Sequence, residues 1–431
     1  MSIYRQRRLD SFASGQKPSQ STVYRIKSII LITMELIYLI ISGILFFFLV
    51  FPFLTVFIAQ FFKKEKLTKA VTKEYDFACI ITAYKNSEIT KPLVHSLLKQ
   101  KHQNYHIYVV ADSCDPIDYG IEDDRLTVFF PQPALNLKAK SIIHAVENFV
   151  RPHEYISILD ADNVLKPDFL TEINRYANQG YRSIQGQRTA KNLDTVFACA
   201  DAIGEFYKNY IERYVPYLIG SSSVISGSGM AVEAELYKAY LYGEDIQQGK
   251  HLWKKMLQED KILQNFLLRR KEKIVFAKDA IVYDEKVTEA NQVETQRSRW
   301  LYSYFQNLPN SSGLIGKGIL NLDWNQFLFG WITIAPPLFI LLFLSGGMML
   351  LGFLFNPLYS LMLFTGLSIF VLTIFWTLYL SNVPSAIWTG LWGIPTFIFK
   401  QITALFKMAD PNKNFKHSEH TRKVNIEEII D

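Results

Sequence analysis

Two long apolar blocks lie near the ends of the chain, with a mixed, charged stretch between them. The first block runs from Ile29 to Phe62. A bilayer core takes about 20 helical residues. This run is therefore long for one upright helix and short for two helices with a loop. Gly43 and Pro52 are candidates for a bend or tight turn. Arg25 and Lys27 before the run, and Lys63, Lys64 and Lys66 after it, favour a hairpin with both ends on one side. The run is too long for a cleaved signal peptide. The second block holds Phe327 to Phe355 and Leu358 to Leu380, each long enough to cross a bilayer. Ile394 to Met408 is shorter and carries Lys400 and Lys407, which suits a helix lying in the interface, with a third crossing as the alternative.

The middle stretch has a different rhythm. "DFACIIT", "YHIYVVA", "LTVFF" and "YISILD" are short β-branched runs, and "KPLVHSLLKQ" and "KAKSIIHAVENFV" repeat as helices do. Strands alternating with helices predict an α/β domain on a mostly parallel sheet. Ligands bind such sheets at the carboxyl ends of strands, where Asp112 and Asp160 fall.

Composition and charge add to this picture. Of 431 residues, 49% are hydrophobic and 14% aromatic, and the net charge is +6. The Lys and Arg residues cluster beside the apolar runs, so the charge points to a membrane surface and not to nucleic acid. The three cysteines, Cys79, Cys114 and Cys199, fit a reducing compartment and suggest neither a disulfide framework nor a zinc site.

The candidate chemistry starts with Asp160 and Asp162. In an extended chain, side chains two apart point the same way. The pair would offer hard oxygen ligands suited to Mg2+ or Mn2+. The plain alternative is a capping acid before a helix starting near Lys166-Pro167. Glu259 and Asp260 open an apolar-periodic helix, either complementing its dipole or supplying a general base. Gln296, Arg299 and Trp300 are spaced for one helical face. A guanidinium suits a diphosphate and an indole suits a sugar face, although a surface Arg beside a membrane-anchoring Trp has the same spacing.

Together, "IITAYKNSE", "VVADSCD", "LKAKSI", "DADN", "SGSGMA", "QED" and "QRSRW" occur in an order that resembles the membrane-integrated family 2 glycosyltransferases with a GT-A fold. These include cellulose, hyaluronan and poly-N-acetylglucosamine synthases. The resemblance implies a GT-A domain over 76–305. Flanking it would be a basic cytoplasmic tail (1–27), membrane segments over 28–62 and 326–380, an interfacial or third membrane helix (383–407) and a cytoplasmic tail (408–431). By resemblance, Tyr84 and Asp112 would hold the uracil and ribose of a UDP-sugar, and Lys138 would approach the phosphates. Asp160 would lie near the nucleotide and Asp162 would bind the metal. Gly227 to Met230, with Gly229 among them, would border the sugar pocket. Asp260 would be the catalytic base, with Glu259 beside it, like Gly229, on the acceptor side. Gln296 and Arg299 would grip diphosphate or acceptor, and Trp300 would stack on the acceptor sugar.

Thr82, Leu137 and Gln258 depart from residues frequent in relatives, and Phe415 stands in the tail where the synthases have Trp. None of these changes removes a catalytic group. The implied activity is inverting, metal-dependent transfer from a UDP-sugar to an exported polysaccharide. Addition of one sugar to a lipid carrier is the alternative. A transporter or scaffold with a nucleotide-binding domain is a reading of another class, but the membrane segments show no internal repeat. The implied setting is the cell (inner) membrane, multi-pass, with the catalytic domain cytoplasmic and membrane lipids as neighbours.

Overall fold

A computed structural model describes residues 20–62, 67, 69–243, 246, 258–286, 288, 290–406 and 424–430. The chain falls into two compact units. The smaller comprises residues up to Val50 together with Leu341–Phe370. The larger comprises Phe51–Ile340 and the chain from Val371 onward.

The first apolar block is one helix, α1 (Gln20–Ala59), and not the expected hairpin. Pro52 lies inside it without ending it. A proline inside a helix removes one backbone donor and leaves its own carbonyl in place, which long apolar helices tolerate; the Thr55 hydroxyl donates to that carbonyl at 2.9 Å. In the smaller unit Tyr38 donates to the Met348 carbonyl and stacks on Tyr359. Gly366 meets Phe46 and Leu49, where a Cβ would stand 2.9 Å from the Phe46 ring. Small residues let apolar helices approach in this way.

The central domain is built on an eight-stranded sheet in the order β3-β2-β1-β4-β7-β6-β8-β5. The strands are β1 (Phe77–Tyr84), β2 (Tyr105–Asp112), β3 (Leu126–Phe129), β4 (Tyr155–Asp160), β5 (Val164–Leu165), β6 (Ser183–Ala190), β7 (Met230–Glu233) and β8 (Ile274–Asp284). Neighbours β1 to β4 run parallel, as does the β6/β8 pair, while β7 runs antiparallel between β4 and β6. The four expected strands are thus the parallel half of the sheet.

Along β1 the side chains alternate between two cores. Phe77, Cys79 and Ile81 join α2 (Lys91–Leu98), with Leu93, Val94 and Leu97, on one face. Ala78 and Ile80 join α3 (Lys138–Glu147), with Ile142 and Ala145, on the other. Strands covered on both faces read as near-continuous apolar runs, which is why they were conspicuous in the sequence. The helix expected near Lys166 begins slightly later, as α4 (Phe169–Asn178). Further on come α5 (Val196–Lys208), a π-helical segment Asn209–Tyr214, α6 (Glu259–Arg269) and α7 (Ala290–Leu320).

The stretch Phe327–Phe355 is not one crossing. It is split into α8 (Trp324–Ile334) and α9 (Leu338–Phe355) by Pro336 and Pro337, which cannot continue a helix. α8 belongs to the globular core. Phe329 is fully buried there, the Trp324 indole donates to the Ile219 carbonyl at 2.9 Å, and the Gln326 amide donates to the Leu268 carbonyl at 2.8 Å. Three segments are long and apolar enough to cross a membrane: Lys27–Ala59, α9 and α10 (Pro357–Leu380). The shorter helices after them, Ser385–Gly390 and α11 (Ile394–Phe406), lie against α5. Gly390 and Gly393 meet Cys199 and Val196 so closely that a Cβ would overlap either one. The tail motif around Phe415 lies outside the described residues. All three cysteines are free thiols.

At the amino edge of the sheet a polar network ties the strands. His153 bridges Asp76 and the Tyr108 hydroxyl, both at 2.8 Å, and His106 bonds the Thr127 hydroxyl at 2.8 Å. Burial pushes His106 down to about 4, and the charges of Arg151 and His153 add to this against a weaker opposite pull from Asp76 and Asp123. The folded chain therefore keeps this ring neutral, while the unfolded chain protonates it near 6.5. Stability from this group is fully present above pH 6.5 and is lost as pH falls toward 4. The thermal unfolding midpoint will drop across that window, and His106→Asn will flatten the drop. An unchanged slope in the variant would remove His106 as its source.

Candidate active site

Strand register sets the site. Tyr84 at the end of β1 pairs with Asp112 at the end of β2, and Thr82 of β1 pairs with Asp160 at the end of β4. The chain leaves β1 toward β2 on one side and returns through α3 to β4 on the other. The carboxyl edge between β1 and β4 is therefore a topological switch point, where open α/β sheets bind ligands.

On the β4 side, Lys138 opens α3 and reaches into a group of acids. Its ammonium donates to Asp160 at 2.7 Å and to the Gly227 carbonyl at 2.9 Å, and stands 3.5 Å from Glu259. Burial works against the Lys138 charge, but Asp160 and Glu259 outweigh it and hold the ammonium above its ordinary range. Glu259, with 16% of its side chain exposed, is pushed up by burial and by Asp260 against the pull of Lys138. Asp260 sits in the first turn of α6, where the helix dipole favours negative charge. It borders Gly227, whose ideal Cβ would lie 3.6 Å from the Asp260 Oδ2. Gly227 has φ +80, a left-handed conformation that suits glycine.

Asp160 to Asn163 form a tight turn. The Asn163 N–H donates to the Asp160 carbonyl at 3.0 Å, and the Asp160 N–H donates to the Asn163 side chain at 3.1 Å. The Asn163 amide also donates to Asp162 at 3.3 Å, and Lys191 donates to the Asp162 carbonyl at 3.1 Å. The Ser228 hydroxyl accepts from the Asp160 N–H at 3.1 Å and bonds the Asn163 side chain. Asn163 and Ser228 lay within recognised motifs, but no local pattern paired them.

On the β2 side, Asp112 is 2% exposed and accepts the N–H groups of Leu135 and Asn136 at 2.9 and 2.6 Å. Its carboxylate thereby shapes the loop that leads to Lys138. Tyr84 donates to the Asn136 side chain at 3.1 Å. The structure thus gathers Lys138, Asp160, Glu259 and Asp260, with Asp162 in the adjoining turn and Tyr84 and Asp112 along the same edge. Gly229 is packed into the sheet: its N–H donates to the Ile158 carbonyl at 2.9 Å, and a Cβ would stand 2.7 Å from Val282.

Trp300 lies apart from these contacts. It is 42% exposed, with the Arg297 guanidinium 4.2 Å and the Lys208 ammonium 5.1 Å from its ring centre. Arg297 is in turn paired with Asp201. Gln296 and Arg299 fall within α7, and their side chains lie outside the described residues.

Among the described residues no three His, Cys, Asp or Glu side chains gather as a metal site. Asp160 and Asp162 nonetheless suit a hard divalent cation. Mg2+ and Mn2+ favour oxygen donors, and Mg2+ typically takes only one or two carboxylates and completes its shell with waters and substrate phosphates.

A family profile described as "Glycosyltransferase like family 2" matches residues 75–303, more than half of the chain. Among solved structures, the mannosyltransferase PcManGT from Pyrobaculum calidifontis, in complex with GDP-Man and Mn2+, aligns with a TM-score of 0.54 at 13% identity. The alignment covers 87% of this chain and 98% of that one. S. aureus TarS 1–349 in complex with UDP-GlcNAc aligns with a TM-score of 0.35 at 15% identity, over 50% of this chain and 59% of that one. No curated protein sequence matches.

Proposed function

This chain belongs to glycosyltransferase family 2, and on that premise we propose that it is an inverting, metal-dependent enzyme moving a sugar from a UDP-sugar to a growing polysaccharide. That it is a glycosyltransferase with a GT-A-like fold, using a nucleotide sugar, follows from the family and the fold. The observation that carries the finer reading is the gathering of Lys138, Asp160, Glu259 and Asp260 at the switch point.

In this reading Tyr84 and Asp112 lie against the nucleoside, and the diphosphate runs along the edge toward Asp160 and Asp162. A divalent ion held by Asp162, with Asp160 beside it, would neutralise charge on the departing nucleotide. Lys138 holds Asp160 and the Gly227 carbonyl in place, which fixes the pocket wall against Asp260. Asp260 takes the proton of an acceptor hydroxyl as its oxygen bonds to the anomeric carbon. The bond to the nucleotide oxygen breaks on the opposite face, so the anomeric configuration inverts. Trp300, with Gln296 and Arg299 on the same helix, receives the acceptor. The three membrane-spanning candidates suit a multi-pass protein of the cell (inner) membrane with the catalytic domain cytoplasmic, where nucleotide sugars are made; a single crossing by α1 then puts the 1–27 stretch on the other face, in place of the cytoplasmic tail expected with a hairpin.

Purified full-length protein in detergent with Mn2+ tests this. Offered UDP-glucose, UDP-N-acetylglucosamine, UDP-glucuronate and GDP-mannose separately, it will release UDP from one donor and yield a ladder of products. A single adduct would replace the polymer with a lipid-linked acceptor. Turnover of GDP-mannose alone would overturn the UDP assignment.

A further inference from the structure

We propose that Arg188 and Gln185, both on β6, are positioning residues that hold the turn Ser226–Gly229 in the shape that Asp260 and Lys138 require. The proposal rests on the reading of Asp260 as the base. The turn carries the Gly227 carbonyl that Lys138 grips and the Gly227 backbone that Asp260 lies against. Gly227 and Gly229 both have positive φ, so the turn's shape depends on what binds its polar groups. Gln185, fully buried, accepts the Ser226 N–H at 3.0 Å and donates to the Ser228 carbonyl at 3.0 Å. Arg188 donates to the Ser226 carbonyl at 2.8 Å.

In a regular strand, side chains three apart face opposite sides of the sheet. Here the pairing of β6 with β8 shifts register between Gly186 and Gln187. The additional residues lie on β8, between Ala277 and Ile281, and the side chains of Gln185 and Arg188 nonetheless both bond the same turn. The far end of Arg188 is locked as well. It pairs with Asp284, which Lys286 meets at 2.8 Å. Lys286 lies 3.6 Å from Glu205, and Glu205 pairs with Arg213 at 2.7 Å. Arg213 donates to Asn209, whose amide returns to the Arg188 carbonyl at 2.6 Å. This ring closes through α5 and the π-helical segment, a helix type frequent at functional sites. An apolar cluster of similar volume would often be as stable as such buried ions. What the ring does provide is a guanidinium with a fixed aim at one carbonyl of the pocket wall.

Arg188→Lys keeps the charge opposite Asp284 and Glu205 but loses the forked second donor. In full-length protein in detergent, amide hydrogen exchange will quicken in peptides covering 225–230 and stay at the parent rate elsewhere. With the donor that the parent turns over, kcat will fall at least ~10-fold with donor KM moved less than about twofold, the pattern of a misplaced reacting group. Gln185→Met, which removes that side chain's bonds to Ser226, Ser228 and Gly229, will quicken the same peptides and serves if Arg188→Lys does not fold. Exchange unchanged in 225–230, or raised uniformly across the domain, would overturn the proposal, as would a parent-like kcat in folded Arg188→Lys. If the parent transfers no sugar at all, the functional reading fails, while the exchange pattern still decides whether these residues hold the turn.

Discussion

Asp260→Asn will lower sugar transfer by ~10²–10⁴-fold, the range that a positioned general base contributes, and will leave nucleotide binding intact. Asparagine is nearly isosteric and can still accept the Lys261 N–H that Asp260 accepts at 2.9 Å. The α6 start and the Gly227 contact therefore survive the change. What is lost is a group able to take the acceptor's proton. A second consequence follows from charge. Asp260 helps push Glu259 up and adds to the hold on the Lys138 ammonium, so the variant brings both closer to their ordinary ranges. UDP release measured against donor, with UDP binding by calorimetry, separates the two effects. Normal turnover in the variant would rule out Asp260 as the base.

The second large effect is expected at Asp162. Asp162→Ala will remove Mn2+-stimulated transfer. The loss will be at least ~10²-fold, because changing only an outer-shell partner of a metal already costs 10–100-fold. Asp160 is the less informative target, since its carboxylate is paired with Lys138 and its removal would unbalance that cation. Chelation will abolish parental activity and added Mn2+ will restore it, whereas the variant will not respond. Metal-stimulated activity surviving in Asp162→Ala would move the ion off this turn.

Much of the parallel half of the sheet was legible in the chain. β1, β2 and β4 are buried on both faces and β3 is half-buried, so their β-branched runs stand out from the mixed sequence around them. Because these strands run parallel, acids ending them had to share one edge, and Asp112 and Asp160 do. Other features were hidden because they depend on partners distant in sequence. Lys138 was expected to approach phosphates; only the folded chain shows its ammonium lying among Asp160, Glu259 and the Gly227 carbonyl. Gln185 and Arg188 carried no signal, since alternation along β6 would put them on opposite faces and only the folded chain brings the turn Ser226–Gly229 to both.

The alternation of strands and helices, the family motifs in their order and the apolar segments are all readable along the chain, because side-chain burial and backbone preference are local. Folding settles that α1 is continuous across Pro52 and that α8 belongs to the globular core although its composition resembles a membrane span. It also settles which charges meet at the switch point. A residue's hydropathy states whether it leaves water, but what it then touches is set by register, turn geometry and the packing of elements far apart in the chain.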